Sequence, residues 1–273
     1  MFRRLTALLV AFGALAVVPL ALASYPAPFA AQGGDGLRSL DGSLRFVASK
    51  AGKNTVVSAI RMSGGATLAK QTVEGAYGIP TITQSGLTAG LFHDGSAFVL
   101  QSVGIEKTSS FVILGAQDLA TRDTITLDGM FGFDALSPDA SKLYLIQHTS
   151  TQDVQHYVVR AYDLATHALM PGRIADKTQK GWVMQGWAVN RVTSADGRWA
   201  YTLYANPGGY PFIHALDTVN GVAHCVGLPW KATDQNAVYN FTLALKGKSL
   251  AVKSQDGRTW RLVNRTTWRV STQ

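Results

Sequence analysis

The feature that most constrains this chain is a local unit that recurs five times between residues 40 and 252. It is a turn built on Asp or Pro-Asp plus a small residue, followed at once by an apolar strand. The copies are Leu40-Asp41-Gly42-Ser43-Leu44-Arg45-Phe46-Val47, His93 to Leu100, Ser137 to Ile146, Ser194 to Leu203 and a degenerate Leu245 to Val252. Aligned on Asp41, Asp94, Asp139, Asp196 and Gly247, they are stepped by 53, 45, 57 and 51 residues. A second unit, a strand ending in an Asp-small turn, follows in Phe111 to Thr121, Tyr157 to Thr166 and Phe212 to Gly221, and is compressed into Ser254 to Val263 in the last copy. Short apolar stretches come after it, so each repeat offers three or four antiparallel strands.

Only Glu74 and Glu106 are glutamate, and just 15% of residues are charged, so ordinary surface helices lack their usual formers. An all-β chain is expected. Four-stranded antiparallel sheets of roughly 40–50 residues repeated about an axis are the blades of a β-propeller. Five blades fit the spacing, and six are possible if residues 54–82 hold strands merged into their neighbours. A two-sheet sandwich also accommodates regular strand spacing. Phe98, Leu100, Leu143, Leu145, Tyr201, Leu203, Leu250 and Val252 alternate along equivalent strands and are expected to form the inter-sheet core. The phrase Leu136-Ser137-Pro138-Asp139-Ala140-Ser141-Lys142-Leu143-Tyr144, with Ala161-Tyr162-Asp163-Leu164-Ala165-Thr166, resembles the strand and turn signatures of bacterial WD40-like propellers of the TolB, YVTN and lactonase-like kind. The resemblance covers about residues 37 to 270 and implies the propeller fold far more than any one activity.

Arg3 and Arg4 precede an uncharged apolar run from Leu5 to Ala23, and Ala21-Leu22-Ala23 puts small residues before Ser24. This reads as a secretion signal over 1–23, long enough to serve as an anchor if uncleaved. Residues 24–36, rich in Pro, Ala and Gly, read as a linker into a single domain over 37–273. An extracellular or cell-envelope location follows. Cys225 is the sole cysteine, so no intramolecular disulfide can form, and a buried inert thiol is expected.

No G-x-S-x-G, H-E-x-x-H, complete calcium loop or phosphate loop is present, so neither a cofactor nor a metal is expected. Asp134, His148 and His214 are the candidates for acid–base chemistry, because inner strands of a propeller converge on its channel. Residues 171–191 lengthen one repeat and combine Arg173, Lys177 and Lys180 with Trp182 and Trp187, a combination suited to gripping a sugar ring or peptide.

The charge excess is local. Residues 231–273 carry eight basic residues against Asp234 and Asp256, whereas 24–230 are balanced. Lys246, Lys248, Arg261, Arg265 and Arg269 are therefore candidates for an anionic surface partner, with strand alternation expected to turn Arg261 and Arg269 to solvent. The sum is an exported, monomeric, non-catalytic propeller that binds envelope proteins, glycans or anionic wall polymers, with no specific nucleic acid and membrane contact only through an uncleaved N-terminus. The alternative is a lactonase-like propeller hydrolase or isomerase with a polar channel site.

Overall fold

The structure, a computed structural model, describes residues 29–104, 107–150, 154, 156–176, 183–206, 209–229 and 235–272. The segment 1–23 expected to be a secretion signal lies outside the described residues. After a short strand β1 (Phe29–Ala31), five antiparallel sheets follow one another along the chain. Sheet one is β2 (Leu37–Arg38), β3 (Leu44–Ala51), β4 (Asn54–Arg61) and β5 (Thr67–Val73). Sheet two is β6 (Tyr77–Thr81), β7 (Ala97–Ser102), β8 (Thr108–Gly115) and β9 (Thr121–Asp128). Sheet three is β10 (Phe131–Leu136), β11 (Lys142–His148), β12 (His156–Asp163) and β13 (Ala168–Leu169), with β14 (Met184–Gln185) also on β12. Sheet four is β15 (Trp187–Thr193), β16 (Trp199–Ala205), β17 (Phe212–Asp217) and β18 (Val222–Gly227). A 3-10 turn, Gln235–Asn240, leads to sheet five: β19 (Thr242–Lys246), β20 (Ser249–Lys253), β21 (Thr259–Asn264) and β22 (Val270–Ser271). Residues 54–82 divide between sheets one and two, and the described residues form no sixth sheet.

The repeated aspartates explain why the turns fall where they do. Ser39, Ser137, Ser194 and Ser254 each donate their hydroxyl to the aspartate two residues on, Asp41, Asp139, Asp196 and Asp256, at 2.5–2.6 Å. The same carboxylates accept backbone N–H groups of Ser43, Ser141, Arg198 and Arg258. Such side-chain acceptance fixes a tight turn locally. It also holds the carboxyls of Asp41, Asp139 and Asp256 down at about 2, chiefly through the serine hydroxyl.

A second turn type joins the third and fourth strands. Asp163, Asp217 and Asn264 each accept the N–H groups two and three residues ahead. The residue four ahead then turns left-handed: His167 at φ 52°, Gly221 at 64° and Trp268 at 58°. Glycine takes that conformation freely, whereas a residue with a Cβ loses about 1–2 kcal/mol there.

Alternation within strands buries both faces of the middle sheets. One apolar cluster joins sheets one and two, with Phe46 and Phe98 stacked at 4.5 Å. Others join two to three, three to four, and four to five. Sheets two, three and four thus each have two partners, which no two-layer sandwich provides. Hydrogen bonds reinforce the joints: Thr55 accepts the Tyr77 N–H and Ser109 the Phe131 N–H, in both cases 22 residues ahead. The Tyr144 hydroxyl donates to the Thr218 carbonyl, tying sheet three to sheet four.

All eight residues expected in the core are buried. Tyr201 and Leu203 do so facing sheet five, the opposite face from their counterparts Phe98, Leu100, Leu143 and Leu145, because sheet four is covered on both sides.

The segment read as a linker contributes structure. β1 pairs with the second half of β6, Phe29 opposite Thr81 and Ala31 opposite Ile79. β6 meets β7 only at Tyr77 and Gly78, and the chain returns to that position at Leu91, opposite Phe98. Between them the chain makes an excursion over the axis, where the Gln84 N–H reaches the Ala188 carbonyl of sheet four and the Thr88 hydroxyl reaches the Gly36 carbonyl.

Candidate functional site

Three neighbouring spaces share lining residues. One, a cavity of about 60 Å³, is bordered by Phe133, Asp134, His148, Tyr157 and Tyr204. A neighbouring cavity of about 140 Å³ is bordered by His93, Asp134, Ser137, Arg191 and Thr218. The third, a cleft of about 760 Å³, runs between Gly33–Arg38, Gly86–Leu91, Arg191 and Thr193. Ile82 borders all three, so the excursion after β6 partitions the axis.

Asp134 reaches its position through a break in register: the pairing of β10 with β11 shifts between Phe133 and Ala135, leaving Asp134 as the extra residue of a bulge. Its carboxylate meets Arg191 of β15, whose guanidinium donates to both the Asp134 carboxylate and its carbonyl, and through Nε to Thr202 at 2.8 Å. Both side chains are almost wholly buried, at 1% and 5% exposure. The second Asp134 oxygen, Oδ2, is buried without a partner among the described residues. A buried pair of this kind fixes geometry more than it adds stability.

The three acid–base candidates converge in part. His148 shares the small cavity with Asp134. Its Nδ1–H donates to the Val154 carbonyl at 2.9 Å, leaving Nε2 as the lone-pair nitrogen, and burial lowers its pKa. His214 instead lies behind Tyr204, edge-on to that ring at 6.4 Å, with Nδ1 3.5 Å from Cys225 Sγ and Nε2 unpartnered. Burial drives His214 down to about 4 and the Cys225 thiol up to about 12, so this His–Cys pair is neutral and not a nucleophile. Burial likewise raises the Tyr157 and Tyr204 hydroxyls above their usual range. Among the described residues no three His, Cys, Asp or Glu side chains gather as a metal-binding group.

Neutral His214 sets an acid limit on stability. Its folded pKa is below the unfolded value, so the unfolded chain binds the extra proton as pH falls from about 6.5 to about 4, and stability drops by about 3 kcal/mol across that window. The depressed turn carboxyls act later, losing their contribution between about 4 and 2. Urea titrations at pH 7 and 4.5 should show the loss in the wild type and a much smaller one in His214→Gln. An equal slope in both would remove His214 as the cause.

The other sequence candidates scatter. Trp187 packs partly buried against the cluster of sheets four and five, and Arg173 is exposed at the edge of sheet three. Trp182, Lys177 and Lys180 lie outside the described residues. Lys246, Lys248 and Arg269 are exposed. Arg261 and Arg265 are half-buried instead. Arg261 pairs across from Val252, on the face toward sheet four, covers the Trp260 ring at 4.0 Å and donates to the Trp260 and Pro229 carbonyls. The cause is plain alternation: Arg261 lies two residues before the fully buried Val263 in unbroken register, so it shares that inner face, whereas the expectation takes the opposite face of β21 as the buried one. Arg191, the central cation, was missed because its importance depends on a partner 57 residues away.

Radial sheets joined face to face around an axial cleft define a β-propeller. No protein-family model matches the chain, and no curated protein matches it. Solved structures do: the β-propeller domain of Cps50 (Swd1) from Myceliophteria thermophila, at TM-score 0.52 and 10% identity over 89% of this chain and 73% of that one; a protein from Desulfotomaculum acetoxidans, at 0.51 and 15% over 88% and 68%; and TolB from Acinetobacter baumannii, at 0.46 and 14% over 84% and 53%. The chain therefore spans about half the length of that TolB chain. These likenesses are of fold alone, and the first of them is to a β-propeller domain.

Proposed function

We propose that this chain is an exported, non-catalytic propeller that holds a carboxylate-bearing segment of an envelope protein in its axial cleft. The observation that carries the reading is Arg191, a buried guanidinium fixed by Asp134 and Thr202 at the wall of a cleft in the volume range of ligand sites. Of its five N–H groups, three have the partners named above, and the remainder suit a carboxylate. Arg38 and Asp35 are both exposed at the same cleft. The N-terminal apolar segment supports export, with Ser24 as the mature N-terminus. Against hydrolysis stands the His214–Cys225 pair, which burial keeps neutral.

A photoreactive residue placed at Thr193 or at exposed Leu87 should crosslink to one envelope protein, whereas the same probe at exposed Met62, away from the cleft, should not. Thr193→Trp, which fills the cleft, should abolish capture while keeping the melting temperature. Crosslinks at all three positions alike, or turnover of lactones by the purified protein, would overturn the proposal.

A further inference from the structure

A second feature, independent of the axial cleft, lies where sheets four and five meet. Trp199, at the start of β16, Trp268, in the turn before β22, and His224, in β18, form one aromatic group. His224 and Trp268 stack at 4.6 Å, Trp199 and Trp268 stand 5.5 Å apart with planes inclined at 57°, and Trp199 lies 6.3 Å from His224. All three remain partly exposed.

The repeats show that the fold does not require these rings. The position of Trp199, third after its turn aspartate, holds Leu44, Ala97 and Lys142 in sheets one to three. The position of Trp268 holds His167 and Gly221 in sheets three and four, and its left-handed backbone favours glycine. Here a tryptophan is kept in a left-handed conformation, half-buried against the cluster of sheets four and five, and strain of this kind is commonly tied to a binding role.

Charge surrounds the rings. Arg198, with 43% of its side chain exposed, lies 5.7 Å from the Trp199 ring centroid and neutralises Asp217. Arg265 donates to the Gly247 carbonyl and reaches the Tyr201 hydroxyl, and Tyr201 stacks on Trp199. Lys248, whose carbonyl accepts the Arg265 N–H, and Arg269, next to Trp268 in sequence, are exposed. Inclined indole faces accept the puckered C–H face of a pyranose better than a flat base, and arginine matches a carboxylate.

We propose that Trp199, His224 and Trp268, with Arg198 and Arg269, form a binding site for an acidic saccharide. The ring stacks through its C–H face, and its carboxylate meets the arginines. The test is titration of the mature chain with oligogalacturonate, read by tryptophan fluorescence and calorimetry. Binding is expected, with at least tenfold weakening in Trp268→Gly that keeps the wild-type circular dichroism spectrum, and several-fold weakening in Arg269→Ala. A neutral maltohexaose should not bind. Absence of oligogalacturonate binding, Trp268→Gly binding as tightly as the wild type, or equal affinity for polyphosphate or single-stranded DNA would overturn the site.

Discussion

Leu100→Asp should fail to fold. Leu100 is completely buried in β7 within the cluster joining sheets one and two, opposite Val112 and among Phe46, Val57, Ile79 and Phe98. Its neighbours in that cluster are apolar, so a carboxylate among them must ionise in an apolar environment or be held protonated, against a total stability of about 5–15 kcal/mol. Leu100→Ala, by contrast, should cost about 2–5 kcal/mol and still fold. Leu145 offers an instructive comparison. It is equally buried, but its cross-strand neighbour is Arg160, whose Nε is unpartnered, so Leu145→Asp should be milder. Circular dichroism and urea unfolding of the three variants check the order. A folded Leu100→Asp with the wild-type midpoint would place that residue at the surface.

Asp134→Ala should cost about 3–5 kcal/mol, because it strands the Arg191 guanidinium in the interior beside Thr202. The double variant Asp134→Leu with Arg191→Met should recover most of that loss, since the charge and its counter-charge leave together. The recovery separates the pair's electrostatics from simple loss of packing, with each midpoint compared at constant denaturant slope. If Asp134→Ala and the double variant are equally unstable, the cost lies in the shape of the bulge rather than in the unpaired charge. If Asp134→Ala is as stable as the wild type, the pair is open to solvent.

The sheets were legible because their turns are made locally. Ser-x-Asp and Asx turns close over two to four residues, so Asp41, Asp139, Asp196 and Asp217 announce strand ends without any distant partner. The five-repeat spacing then defines the sheets. What stayed hidden depends on register or on contacts across sheets. The Asp134 bulge and the meeting of Trp199 with Trp268 both arise between strands or blades. β1 was hidden for a related reason: Phe29-Ala30-Ala31 has no alternating pattern and is a strand only because β6 diverges from β7 to meet it. Of the channel candidates, Asp134 and His148 came together because both belong to sheet three, whereas His214 faces the interior between sheets.

The central claim is that each middle sheet packs against two others about one axis. Proton–proton contacts measured by NMR test it most directly. The Phe46 and Phe98 rings should show contacts joining sheets one and two, Phe111 and Leu143 joining two and three, Tyr144 and Thr218 joining three and four, and Trp199 and Trp268 joining four and five, all in the same sample. Contacts from sheets two, three and four to a single partner each would mean two stacked layers and would contradict the propeller.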